Sequence, residues 1–311
     1  MAIVHELSWS VSRAGTFRSC KRMYYIDYYL SWRGWERTAP EERKRAYLLK
    51  KMTRLPMLAG DCLHTALEGW FQAKTEGRVL SADEVTQQAV MRLREGYKMS
   101  RDGGWRARPS KLTRLAEHHY VEDRIDEKSG AAAEYGTRYR RRIEDGVKAF
   151  FEMPELAEVR EVDPKDYLAL EEMGTIELFG TKAFAIPDFA YGRTRTGERE
   201  ITIYDWKTGQ PREQDRFQLA VYVFYAGEKW GAKPAECYCV DAYLPTRKLE
   251  RTQFSDADME PVMDRVETTL AEMREVHFDA DEGMGDANAF PMVEEGSREC
   301  SSCNYRELCG R

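Results

Sequence analysis

No stretch of this sequence approaches the roughly 20 consecutive apolar residues of a membrane-spanning helix, so no membrane partner is expected. The opening MAIVHELSWS lacks both the basic and the apolar segment of a secretory signal, which makes a cytoplasmic location the expectation. There is no internal repeat and no low-complexity tract, which sets aside solenoids and fibres. A basic excess is missing too: the net charge is -6, which argues against a surface coated by polyanion. Disulfides are not expected either. The seven cysteines are an odd number in a chain with no export signal, so reduced thiols or metal ligands fit better.

What remains is a chain of 311 residues, long for one compact domain and short for two large ones. Its 42% hydrophobic residues are enough for a real core, and its 33% charged residues keep it soluble. Residues 8–30 read as an aromatic-rich helix with Tyr24, Tyr25, Tyr28 and Tyr29, and residues 31–56 as charged and irregular. Leu63, Leu67, Trp70 and Phe71 recur at helical spacing within 57–75. A highly charged, mostly helical block over 81–152 opens with the capping-box pair Ser81 and Glu84 and reads as an insertion. Two basic groups stand out, Arg43, Lys44 and Arg45 with Lys50, Lys51 and Arg54 behind, and Arg138, Arg140, Arg141 and Arg142. Each is either a local track for a polyanion or a solvated helix face.

Near residue 168 the pattern changes to strand, turn, strand, turn, strand, with turns at Gly180-Thr181 and Thr194 to Gly197. A helix over 212–229 is apolar on most sides and therefore expected to be buried. Strands over 235–244 and 248–254 and an amphipathic helix over 256–277 follow. Helices around a small mixed sheet predict an α/β or α+β domain.

ITIYDWKTG is the most informative segment. Alternate side chains on a strand share a face, so Asp205 and Lys207 point one way and Trp206 the other. The preceding strand carries AIPDFAYG. A hairpin centred on Thr196 and Gly197 brings Asp188 nearly opposite Asp205, and two carboxylates so close repel unless a cation lies between them or one is protonated. A hard divalent cation such as Mg²⁺ or Mn²⁺ suits such oxygen ligands, while charged hairpin tips at a surface are the plain alternative. In GDCLHTALEGWF, Gly60, His64 and Glu68 share one helix face, where the imidazole either completes a metal site or caps a surface. Gln218 and Tyr222 share a face of the buried helix and need polar partners there. At the end of the chain, Cys300-x2-Cys303-x5-Cys309 is ligand-like but lacks a fourth donor. A fourth thiolate would complete a set that suits structural zinc or an iron–sulfur cluster alike. Cys62, Cys237 and Cys239, set in helix and strand patterns, read as core thiols.

The order of these motifs, from CKRMYYIDYY through G-x-x-x-H, P-D, D-W-K and Q-x-x-x-Y to CSSCNYRELC, resembles the RecB-like branch of the PD-(D/E)XK nucleases. Within it the similarity is greatest to members with a cysteine cluster, the AddB-type nuclease domains and the iron–sulfur nucleases of CRISPR adaptation. The resemblance spans nearly the whole chain except 81–152. It implies a restriction-endonuclease-like core with a central mixed β-sheet flanked by helices, residues 1–311 forming one nuclease domain. It implies His64, Asp188 and Asp205 as ligands of Mg²⁺ or Mn²⁺, Lys207 as the catalytic lysine, and Gln218 and Tyr222 beside metal and DNA. A glutamate on the strand before the aspartate would be Glu171 or Glu172. Relatives often carry Gly and Arg or Lys before that aspartate, where this chain has Ile186-Pro187. Cys20 becomes the fourth ligand, clamping the chain ends with Cys300, Cys303 and Cys309 around a 4Fe-4S cluster, with zinc the lesser alternative. The implied activity is hydrolysis of DNA, by an exonuclease acting on ends or single strands. A catalytically silent or partner-dependent subunit of a recombination, repair or CRISPR-adaptation complex is the rival. No G-x-x-x-x-G-K-[ST] loop is present, so ATP-driven unwinding would need a separate helicase.

Overall fold

The computed structural model describes residues 4–109, 111–120 and 131–311. Residues 110 and 121–130, within the block expected to be an insertion, lie outside the described residues. The strands are β1 (Ser8–Trp9), β2 (Tyr167–Leu170), β3 (Gly174–Leu178), β4 (Thr181–Ala185), β5 (Phe189–Arg195), β6 (Glu198–Lys207), β7 (Cys237–Tyr243) and β8 (Lys248–Gln253). The helices before the sheet are α1 (Val11–Ser19), α2 (Lys21–Tyr25), α3 (Glu41–Lys50), α4 (Leu55–Thr75), α5 (Ala82–Arg101), α6 (Ala116–His119), α7 (Ala131–Glu152) and α8 (Ala157–Glu161). Those within and after it are α9 (Glu213–Trp230), α10 (Asp256–Glu275), α11 (Arg298–Ser301) and α12 (Arg306–Cys309).

The main sheet runs β2-β5-β6-β7-β8, with β6 and β7 parallel and the other pairs antiparallel. It is the mixed sheet that the sequence predicts. The β5–β6 hairpin turns on Thr196 and Gly197, at φ 52° and 87°. Positive φ at both central residues matches the right-handed twist of paired strands, and glycine takes it without a Cβ penalty. Alternation then sorts side chains between two cores. Ile201, Ile203, Cys237 and Cys239 face one core, built with α9, α10 and the N-terminal aromatic segment. Phe189, Tyr204, Trp206, Val240 and Ala242 face the other, built with α4, α5 and α7. The sheet is therefore a layer between two helical layers. Cys62, Cys237 and Cys239 are fully buried core thiols.

Two expectations need correction. The segment 31–56 is not irregular throughout, because Glu41–Lys50 is helical. Its charge hid the helix: Arg43 is buried and donates to the carbonyls of Trp32, Ala280 and Gly283, so one residue of that basic group is an internal tie. The strand run from 168 also divides differently. The turn falls on Phe179 and Gly180, with Thr181 already in β4, and β3 and β4 join β1 in a separate three-stranded sheet.

Helix α4 is held on the main sheet by aromatic stacking: Phe71 lies flat on Phe189 at 4.0 Å between centroids and meets Phe150 edge-on. Phe71→Ala should cost about 3–5 kcal/mol of unfolding free energy in a urea titration. A loss below about 1 kcal/mol would mean that α4 is anchored elsewhere.

Candidate active site

At the C-terminal ends of β6 and β7 the apolar alternation breaks, and buried acids replace it. The β5–β6 register pairs Phe189 with Tyr204, so Asp188, one residue earlier, stands opposite Asp205. The parallel β6–β7 register pairs Asp205 with Asp241. Asp188, Asp205 and Asp241 are 6%, 3% and 2% exposed, which removes water as their screening medium.

Helix α4 brings His64 to this edge. Gly60, one turn before it, lets the helix pass close to the chain leaving β6, since a Cβ there would come 3.3 Å from the Thr208 hydroxyl. His64 Nδ1 lies 3.3 Å from Glu171 Oε1 and 3.4 Å from Asp188 Oδ1. Ligand atoms of His64, Glu171 and Asp188 all fall within 4.8 Å of one another. Of the two glutamates left open by the sequence, Glu171 faces the site and Glu172 is exposed. Glu171 adopts φ 49°, a left-handed conformation that costs a non-glycine residue of order 1 kcal/mol or more, and its N–H donates to the Asp188 carbonyl at 3.1 Å.

Across the site, Lys207 Nζ lies 2.6 Å from Asp205 Oδ2, 3.6 Å from Asp215 Oδ1 and 4.0 Å from Asp241 Oδ1. It donates to Gln218 Oε1 at 3.2 Å. Gln218 Nε2 donates to the Tyr222 hydroxyl at 2.6 Å, and that hydroxyl donates to the Ile186 carbonyl at 2.8 Å. One face of α9 thus runs a hydrogen-bonded line from the lysine to the residue before Pro187. This line accommodates Ile186-Pro187: Tyr222 pins the carbonyl that sets the path into Asp188. Asp188 Oδ2 in turn accepts the N–H of Trp206 at 2.6 Å. The six residues singled out here by sequence, His64, Asp188, Asp205, Lys207, Gln218 and Tyr222, therefore line one site. Asp205 meets Lys207 through Oδ2 and also lies beside the Asp188 carboxylate.

Sequence reasoning missed Asp215 and Asp241. Asp241 was signalled by a lone acid inside the apolar strand CYCVDAY. Asp215 had a weaker signal, an acid in the first turn of a helix, where it accepts the Arg212 N–H at 2.9 Å and the Tyr243 hydroxyl at 2.7 Å.

The electrostatics show a shortage of positive charge. Among the described residues, Glu171, Asp188, Asp205, Asp215 and Asp241 form ion pairs only with His64 and Lys207. Burial and the facing Asp188 push the Asp205 carboxyl well above the usual range. Burial takes Asp241 up to about 7 against the pull of Lys207, and burial also raises Glu171. Burial would raise Asp188 as well, but His64 outweighs it and holds that carboxyl low. His64 is lifted far above its ordinary value despite burial, by Asp188 and Glu171, and Lys207 is raised despite burial, by Asp205. Glu171 Oε1, Asp205 Oδ2 and Asp241 Oδ1 are buried and face His64 at 3.3 Å and Lys207 at 2.6 and 4.0 Å respectively. An oxygen-rich set with an imidazole, holding more acids than cations, fits a hard divalent cation.

Cys20, Cys300, Cys303 and Cys309 line one small cavity with Met23, Met292 and Tyr305. Cys20 caps α2, its sulfur accepting the Met23 N–H at 3.4 Å, and Cys303 accepts the Tyr305 N–H at 3.3 Å. Burial pushes the Cys303 thiol up to about 11, and the other three thiols add to the shift.

The model of the PD-(D/E)XK nuclease superfamily matches residues 8–310, and the chain belongs to that superfamily. Its members use divalent metal ions. A comparison with curated proteins finds none that matches.

Because the Asp205 carboxyl titrates higher in the folded than in the unfolded chain, the folded state is increasingly penalised as pH rises through and above the carboxylate range. Asp205→Asn keeps the shape and removes one of the opposed charges, while Asp215 and Asp241 still face Lys207. In the presence of a chelator, the variant should unfold at a higher temperature than the parent chain, by a margin that widens from pH 5 to pH 8. A variant that is less stable at both pH values would show that Asp205 is held by attraction rather than crowded by repulsion.

Proposed function

We propose that this chain is a metal-dependent deoxyribonuclease of the RecB-like, iron–sulfur branch of the superfamily, acting as an exonuclease on DNA ends or single strands. The observation that carries the reading is the meeting of His64, Glu171 and Asp188 within 4.8 Å at the edge where Lys207 lies beside Asp205. On this reading His64, Asp188 and Asp205 hold Mg²⁺ or Mn²⁺, with Glu171 a further oxygen donor. When bound, the ion lowers the pKa of water and offsets charge on a phosphodiester. Lys207, kept protonated by the acids around it, orients the attacking water and stabilises charge developing on the phosphate. Gln218 and Tyr222 fix the position of that amine through the line of hydrogen bonds to Ile186.

The same reading makes residues 1–311 one nuclease domain, with 81–152 a helical insertion and Cys20 with Cys300, Cys303 and Cys309 the ligands of a 4Fe-4S cluster. The shared cavity of the four thiols supports that set. A cluster joining residue 20 to residue 309 stabilises the fold by closing nearly the whole chain and takes no part in hydrolysis. Helicase, recombination or CRISPR-adaptation partners belong to this reading as well, since the chain lacks a P-loop of its own.

End-labelled single- and double-stranded DNA should be degraded with Mg²⁺ or Mn²⁺ and not with chelator. Asp205→Ala and Lys207→Ala, checked for folding by circular dichroism, should each lose cleavage by 10²-fold or more, and full activity in either would refute the assignment. Protein purified without oxygen should be brown, with iron and acid-labile sulfide in equal amounts. Cys20→Ala should lose the cluster and Cys62→Ala should keep it. Colourless protein with stoichiometric zinc would refute the iron–sulfur assignment.

A further inference from the structure

The two basic groups of the sequence do not survive folding as units. Arg43 is internal, and Lys50 donates to the Asp27 carbonyl at 2.7 Å. In the second group, Arg138 and Arg141 are exposed, and Arg142 lies over the Tyr139 ring at 4.9 Å. Arg140 is different: it lines a cavity of open cross-section between α5 and α7.

Three features of this groove matter together. Its floor is apolar, made by Leu55 at the start of α4 with Val90 and Leu93 of α5, all buried. Its rim is cationic, with Arg94, Lys98 and Arg101 on α5 and Arg140 on α7, and no carboxylate is among the described residues that line it, although the chain as a whole is acidic. The α5 positions Val90, Leu93, Arg94, Tyr97, Lys98 and Arg101 follow the three-and-four spacing of a single helical stripe. Opposite them α7 contributes small residues at Ala133, Gly136 and Thr137 beside Arg140, and a Cβ on Gly136 would meet nothing within 4 Å. The run of small residues facing the α5 stripe leaves a channel rather than a closed helix seam. Tyr97 stands half-buried in it, braced edge-on by the His118 ring at 4.8 Å.

We infer that this groove holds a single-stranded segment of nucleic acid, its phosphates on Arg94, Lys98, Arg101 and Arg140 and a base against Tyr97 and the apolar floor. The inference rests on the nuclease reading and adds the path of the strand. A duplex hides the faces of its bases, so an apolar floor with an aromatic side chain is complementary to an unpaired strand. The stripe from Val90 to Arg101 is about 16 Å long at 1.5 Å per residue, room for a few nucleotides. Leu55 precedes His64 by nine residues on α4, so the floor ends roughly 14 Å from the proposed metal site along that helix. Three of the cations already have an acid nearby, Arg101 bridging to Asp102 at 2.7 Å with Lys98 acting on the same carboxylate, and Arg140 bridging to Glu144 at 3.4 Å, and a bound phosphate would compete with these exposed pairs at little cost.

The test is fluorescence anisotropy with labelled (dT)15 on the full chain in chelator, so that binding is read without cleavage. The triple variant Arg94→Gln, Lys98→Gln, Arg140→Gln should bind at least 10-fold more weakly. Its plot of log affinity against log salt should be shallower by about 2, the loss of three phosphate contacts to a single strand. Tyr97→Ala should weaken binding by roughly 5-fold or more with little change of salt slope, because stacking releases no counterions. With Mg²⁺ restored, both variants should show a raised KM and a retained kcat on single-stranded DNA. Parental affinity and slope in the triple variant would overturn the groove and leave the nuclease reading standing. Displacement of (dT)15 by poly-glutamate from the parent chain at equal charge concentration would assign the groove to an acidic protein segment and overturn the inference. A parent chain that neither binds (dT)15 nor cuts DNA would overturn the nuclease reading, and the groove with it.

Discussion

The confrontation of Asp188 with Asp205 is the constraint on which the site depends. Neither residue chooses the other. Asp205 sits where it does because β6 alternates between two cores, and Asp188 faces it because the turn at Thr196 and Gly197 fixes the register of β5. A register slip of one residue would send Ile201 and Ile203 to one wrong core and Tyr204 and Trp206 to the other. The apolar faces therefore hold two acids together against their repulsion. Stability stored in the cores is drawn on at one edge of the sheet, where a left-handed Glu171 and crowded, buried carboxylates add to the strain.

The neighbouring elements complete the site for reasons of packing. The parallel β6–β7 pair carries Asp241 to the same edge, and the helix between them, α9, lays Gln218 and Tyr222 along the opening. In an α/β sheet the C-terminal ends of parallel strands are where helix N-termini and loops meet, and acids placed there remain within reach of a ligand. Among the described residues Lys207 is the one cation paired with Asp205, Asp215 and Asp241, so its amine is fixed by attraction from several directions. A side chain with four rotatable bonds becomes a positioned one.

Much of this was legible because short-range rules govern it. Strand alternation predicts that Asp205 and Lys207 share a face, and a two-residue turn with glycine predicts the register opposite Asp188. Helical spacing places His64 on one face with Gly60. What was illegible required long-range pairing. Nothing in VDAY says that Asp241 will lie beside Asp205, because that follows from which strand β7 joins. The choice between Glu171 and Glu172 turns on a left-handed residue after β2, a conformation that an acid rarely adopts and no local rule assigns. Helix α3 was missed because charge masked it: Arg43, polar by composition, is a core residue by hydrogen bonding. The division of the strands into two sheets was missed for the same long-range reason, since β1 pairs with β4 across most of the chain.

Helix α4 ties the distant parts together. Its middle carries His64 to the acids, and its first residue floors the groove beside α5. The chain entering it is stitched to the cysteine-bearing tail: Asn304 donates to the carbonyls of Leu49 and Met52, Tyr305 donates to Asp27, and Glu307 joins Arg45 to His119. Thr53 in turn bridges to Leu115, and the Tyr120 hydroxyl donates to the Asn304 carbonyl at 2.7 Å. The tail thus braces both segments that flank the start of α4. A cluster held by the four cysteines would lock that brace, and with it the setting of the helix that carries His64.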